Sequence, residues 1–123
     1  MMEISPAELG ALRMRGQKLE PRRAREDWLE AVSAVCGVNA QRGSAMLLAL
    51  CARVNGLTEA DVAEAIRSNH RAVRTWAMRG TLHLLTAEDL RWIVSLLGPV
   101  FSGKDKRRRL EFPLRRLFLL ECG

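Results

Sequence analysis

The sequence predicts an α+β domain, mostly helical, in which a series of helices is followed by one small β-hairpin. Three observations carry that expectation. Helix starts are unusually legible, with an N-cap residue and an acid three positions later at Ser5/Glu8, Thr58/Asp61 and Thr86/Asp89. Residues 74–85 read RTWAMRGTLHLL, two short β-prone runs around Arg79-Gly80, the pattern of a hairpin with a two-residue turn. Gly16, Gly37, Gly56 and Gly98 each stand just past an apolar-periodic run, where a left-handed helix cap is wanted. Helices in a helix-turn-helix order closed by such a hairpin describe a winged helix, with the hairpin as its wing.

In chain order, the first helix spans about 5–16. Ser5 caps it, Pro6 occupies the first helical position, and Ile4 and Leu9 are placed to staple the entry. The second spans about 26–36 and ends at Gly37, and a short polar loop, Val38-Asn39-Ala40-Gln41-Arg42, leads into the third at about 43–54. Thr58-Glu59-Ala60-Asp61 opens the fourth, about 58–68, stapled by Leu57 and Val62. Strands at about 72–77 and 81–85 form the hairpin, with Trp76 expected on a strand face or in the core. Thr86 caps a fifth helix, about 86–97, stapled by Leu85 and Leu90 and stopped by Gly98-Pro99.

Residues 1–100 therefore read as the domain and 101–123 as a basic, poorly structured tail. The tail begins with a cationic run (Lys104, Lys106, Arg107, Arg108, Arg109) and is interrupted by Pro113. Its apolar residues, Leu114, Leu117, Phe118 and Leu120, lack the capping grammar of everything before them.

The charge is unevenly placed. The chain of 123 residues carries a formal net charge of +6. Residues 1–98 hold 13 Lys/Arg against 11 Asp/Glu, whereas residues 99–123 hold 7 against 3. Most of the basic excess thus lies in the tail, and overall charge alone does not make the domain a nucleic-acid binder. Three cysteines (Cys36, Cys51, Cys122) form no CxxC pair. A disulfide framework or a zinc site is not expected, and Cys36 and Cys51, within apolar helix patterns, are expected to be buried. The first residues lack an apolar signal core, and the longest apolar stretch is too short to span a bilayer. The expected location is cytoplasmic, nucleoid-associated if the chain is bound to DNA. There is no P-loop, no GxGxxG and no HExxH, so neither cofactor nor metal is implied.

The wording of the chain resembles a known family over roughly residues 8–109. The stretches that carry the resemblance are 37–41, LLALCARVNGLTEADV at 47–62 and, above all, 73–98. They are similar to the N-terminal unit of the winged helix DNA-binding domain proteins that include the crosslink-repair DNA glycosylases of the YcaQ/AlkZ type. The resemblance implies a site at Asn39-Ala40-Gln41. In those glycosylases this loop carries a Gln-apolar-Gln or Gln-apolar-Asp motif facing the alkylated base. A carboxamide there would hold a water beside the sugar and stabilise oxocarbenium character while an already cationic purine departs. Gln41 matches the second motif position. Asn39 departs from the first by one methylene, and Cys51 stands where relatives usually have tryptophan.

Each candidate also has a plain structural reading. Asn39 and Gln41 fit as capping or solvating residues at the start of the third helix. Arg71, Arg74 and Arg79 on the hairpin, with His83 and the neighbouring Arg42, are candidate phosphate contacts. They equally fit a solvated hairpin, and His83, within an apolar run, fits a structural histidine. The helix before the wing carries Glu59, Asp61 and Glu64 ahead of Arg67, which argues against a free-standing sequence-reading repressor. The expected partner is double-stranded DNA, including alkylated or crosslinked DNA, with no membrane partner and an open oligomeric state.

Family members continue through further winged-helix units and a β-barrel. A DNA-binding module without a complete catalytic apparatus, a truncated glycosylase out of frame from about Glu111, and a small protein-interaction module are all consistent with the residues. An active minimal glycosylase would need one unit to grip a duplex and build a pocket alone.

Overall fold

A computed structural model describes the backbone of residues 3–111 and the side chains of residues 3–100. The expectations for residues 112–123, and for the cationic side chains from Lys104 to Arg109, lie outside the described residues. Among these are five α-helices and a three-stranded antiparallel sheet, so the α+β, mostly helical class holds. The elements are α1 (Pro6–Gly16), α2 (Trp28–Ala34), β1 (Val38–Asn39), α3 (Gly43–Cys51), α4 (Glu59–Arg67), β2 (Ala72–Trp76), β3 (Leu82–Thr86) and α5 (Ala87–Glu111). One 3-10 turn (Arg25–Asp27) leads into α2 and another (Met78–Gly80) lies in the hairpin loop.

The capping grammar is realised. Ser5 Oγ accepts from the Glu8 amide at 3.3 Å while the Glu8 carboxylate accepts from the Ser5 amide at 2.8 Å. Thr58 and Asp61 repeat the reciprocal pair, at 3.3 and 2.8 Å. At Thr86 only the forward half forms, the Asp89 amide donating to Oγ1 at 3.1 Å. Thr86 is also the last residue of β3, paired with Ala72. The staples differ. Leu57 and Val62 are in the core and Leu85 packs with Leu90, but Ile4 and Leu9 are exposed, and α1 buries none of its residues.

The sheet order is β1-β3-β2, with Val38 opposite Leu84, Arg74 also opposite Leu84, and Trp76 opposite Leu82. Alternation puts Val38, Ala72, Arg74, Trp76 and Leu84 on one face, and Asn39, Val73, Thr75, His83 and Leu85 on the other. The first face meets the main core, built from Trp28, Val32, Met46, Leu50, Val54 and Val62 with Leu84. The second meets α5 through Leu85, Ala77 and Ile93. The sheet is thus a thin partition between α2–α4 and α5.

Several expectations are corrected. Residues 38 and 39 form a strand, not a polar loop, because β3 offers them backbone partners. The second helix ends at Ala34, since Cys36 (φ 56°) and Gly37 (φ 101°) turn left-handed to bring the chain into β1. The third helix stops at Cys51, short of the expected 54. Cys36, in the left-handed turn after α2, and Cys51, the last residue of α3, are exposed and not buried as expected. Gly98-Pro99 does not stop the last helix, which runs on to Glu111 and across the boundary expected at residue 100. Proline removes one helical donor and bends a helix without necessarily ending it.

The hairpin turns at Arg79-Gly80, but its loop is longer than the expected two residues: the paired strands close at Trp76 opposite Leu82, and Met78–Gly80 form a 3-10 turn between them. Arg79 and Gly80 are both left-handed (φ 57° and 69°), and the Thr81 amide returns to the Met78 carbonyl at 3.2 Å. No helix among the described residues is long and apolar enough to cross a membrane.

Candidate functional site

The end of β1 and the hairpin meet at one edge of the domain. Asn39 is the last β1 residue, opposite His83, and the next amide, Ala40, donates to the Leu82 carbonyl at 2.8 Å. Ala40 is fully buried, while Asn39, Gln41 and Arg42 are exposed. The Asn39 side-chain oxygen accepts from the Gln41 amide at 3.2 Å, an Asx turn that redirects the chain out of the sheet. The Asn39 side chain therefore shapes its own loop. The Gln41 carboxamide has no protein partner among the described residues and stands in solvent. Arg42 is the N-cap residue of α3, with no side-chain bond closing that helix start.

Arg74 reaches this loop from β2. Its Nε donates to the Ala40 carbonyl at 2.8 Å and its Nη2 to the Gln41 carbonyl at 3.2 Å. A planar guanidinium suits this task, because two donors in one plane meet two successive carbonyls. The sequence placed Arg74 among surface cations, and only the folded chain brings it 33 and 34 positions back to the loop. Arg74 also forms one rim of a groove of about 460 Å³ between α3 and α4, whose walls include Met46, Leu47, Val62, Ile66 and Arg67.

The other expected DNA contacts are dispersed. Arg79 is exposed at the hairpin tip. Arg71 is exposed at the opposite end, at the root of β2, beside a second cleft of about 520 Å³ that includes Ser33, His70, Thr86 and Glu88. His83 is 4% exposed, with Nδ1 2.9 Å from the Thr81 carbonyl. A carbonyl only accepts, so the ring carries its hydrogen on Nδ1 in this contact. His83 is thus buried, with its Nδ1 bonded to the carbonyl of a residue two positions before it in the chain.

Trp76, expected on a strand face or in the core, is 63% exposed. Its face of β2 is covered by α4 near Ala72 but runs out of helix before the hairpin tip. The acids of α4 are also partly accounted for. Asp61 takes Arg25 Nη2 at 2.6 Å, and this bond, reinforced by Thr58, pulls its carboxyl down to about 2. Asp89 at the α5 start sits lower than an ordinary carboxyl even though partial burial opposes its charge, because Ser33, Trp92 and Thr86 all donate to it. Among the described residues no three His, Cys, Asp or Glu side chains gather as a metal site.

Comparison with known proteins adds two matches. The sequence model of the family described as DNA glycosylase AlkZ-like matches residues 32–118, which takes in the Asn39–Gln41 loop and the whole hairpin. An interstrand DNA cross-link repair glycosylase of Streptomyces sahachiroi is 34% identical over 97 residues, 79% of this chain but 26% of that protein. The chain thus spans about a quarter of the length of that curated relative. No solved structure matches.

Proposed function

The chain belongs to the DNA glycosylase AlkZ-like family, and on that premise we propose that it is a DNA-binding winged-helix unit without a complete glycosylase apparatus. The order helix, strand, helix, helix, hairpin, with β1 laid beside β3, supports the winged-helix reading. In that reading α4 takes the place of the recognition helix and residues 72–86 form the wing. Residues 71–86 contain three arginines and no acid, in a domain whose overall balance is close to neutral. The acids of α4 turn duplex contact away from that helix and toward the wing.

The observation that carries the proposal is the Arg74 clamp. It ties the wing to the loop that bears Gln41, so both present one edge to a duplex. Arg79 and Arg42 supply phosphate contacts on that edge, whereas Arg74 acts through the loop. Gln41, with its free carboxamide, holds the water-positioning place, while Asn39 is turned into its own loop. The rest of a lesion pocket would come from parts of the relatives that this chain does not span. Alkylated or crosslinked DNA is the partner that family membership favours for that edge.

Duplex binding followed by anisotropy across a salt series tests this. The affinity should fall steeply with salt, and Arg79→Ala should reduce the log–log slope by about one. Binding carried entirely by the tail, erased when Lys104, Lys106, Arg107, Arg108 and Arg109 become Gln, would refute the wing as the contact. Release of an N7-methylated purine, abolished by Gln41→Ala, would refute the incompleteness.

A protein-interaction role has one observation in its favour. Trp92, Leu96 and Val100 are 49%, 64% and 52% exposed at helical spacing along α5. If that face docks another protein, Leu96→Asp will change the sedimentation of the chain or of its complex while leaving DNA affinity intact.

A further inference from the structure

We propose that Trp76 is a stacking platform for a nucleobase that has left the duplex stack; the inference rests on the DNA-binding reading above. An indole normally closes a core, as Trp28 at the start of α2 does at 7% exposure. Trp76 instead leaves 63% of its surface in water. The third tryptophan, Trp92, is also exposed, but its indole N–H is fixed to Asp89 at 2.9 Å. Among the described residues nothing bonds the indole N–H of Trp76.

Its position gives the exposed ring a purpose. Trp76 shares a strand face with Arg74, two residues before it, and lies opposite Leu82, whose carbonyl receives the Ala40 amide. The ring therefore stands on the cross-strand row that ends at the candidate loop, one residue before Gln41. Arg79 lies three residues on, at the hairpin tip, and no acid occurs between residues 71 and 86. A flat, rigid aromatic face with Arg79 close along the hairpin and no acid to oppose it is the combination that holds single-stranded or displaced bases, the guanidinium meeting phosphate and the ring meeting the base. Stacking is indifferent to base identity, so the site would take any exposed base without reading sequence.

The test separates bases from phosphates. The full chain, carrying Trp92→Phe to remove the other exposed indole, is titrated with single-stranded oligothymidylate. A second titration uses an abasic deoxyribose-phosphate oligomer of the same length. The oligothymidylate should quench Trp76 fluorescence and bind on the order of tenfold tighter than the abasic oligomer. Trp76→Ala should erase that preference without changing the affinity for the abasic oligomer, and Trp76→Phe should retain part of it. Equal affinity for the two oligomers, or a preference that survives Trp76→Ala, overturns the inference while leaving the DNA-binding reading intact. Failure to bind either oligomer or duplex overturns both. Trp76 is exposed at a strand end, so its variants should keep the parent's melting temperature, which is checked in parallel.

Discussion

Arg74 Nε donates to the Ala40 carbonyl at 2.8 Å, joining the second strand of the sheet to the residue that follows the first. A side chain that the sequence would leave as an ordinary surface cation instead fixes the backbone of the loop carrying Gln41. Loss of that clamp should be felt locally. Arg74→Ala should cost about 1–2 kcal/mol of stability and raise hydrogen exchange at the Gln41 amide on the order of tenfold. Arg74→Lys should recover little of this, since an ammonium cannot meet both carbonyls in one plane. Unchanged exchange at Gln41 in Arg74→Ala would remove the clamp from the account.

Gly37 occupies a position only glycine fits. Its φ is 101°, and a Cβ there would lie 2.4 Å from Leu85 Cδ2 and 3.2 Å from the Leu84 carbonyl. The left-handed backbone and the overlap with β3 act together, so Gly37→Ala should cost about 2–4 kcal/mol. Denaturant melts measure this, and a loss below about 0.5 kcal/mol would mean that β1 and β3 do not approach as described.

Leu84 is fully buried where the sheet meets the main core. Leu84→Ala should destabilise by roughly 3–5 kcal/mol, the transfer loss plus the cavity. Leu48→Ala on the outer face of α3, where Leu48 is 72% exposed, should change stability by less than about 0.5 kcal/mol. The contrast between the two, read in the same melts, checks that the core lies against the sheet and not on the outer face of α3.

Asp61 makes acid sensitivity predictable in sign. Its carboxyl is drawn from 3.8 to about 2 by Arg25, with Thr58 assisting. A depressed folded-state value means the bond contributes stability in full above the unfolded value near 4, and loses it as pH falls toward 2. The melting temperature of the parent chain should therefore fall across that window, and Asp61→Asn should show a shallower fall. An identical acid slope in both chains would show that the Arg25–Asp61 pair does not persist in solution.

The features legible in the sequence share a short range. Ser5 with Glu8, Thr58 with Asp61, and the Arg79-Gly80 turn are each complete within four residues, so their residue types announce them wherever the chain goes. The helical content and the hairpin followed from such signals. The resemblance, carried by residues 37–41, 47–62 and 73–98, supplied the family that the comparisons then established.

Where the sequence misled, the deciding partner lay far along the chain. Val38 and Asn39 are a strand only because β3, more than forty residues later, presents matching backbone groups. His83 is buried and Trp76 exposed, the reverse of their polarity, because burial follows which distant elements pack on each face: α5 lies against Leu85 and Ala77 on one, and α4 packs at Ala72, away from the hairpin tip, on the other. The last helix passes through Gly98-Pro99 despite two residues that locally argue for a stop. Sequence by itself determined where elements begin and turn, since caps and turns are satisfied by neighbouring residues. Only the tertiary structure decided which side chains face the candidate edge, since burial depends on which distant element happens to lie across each face.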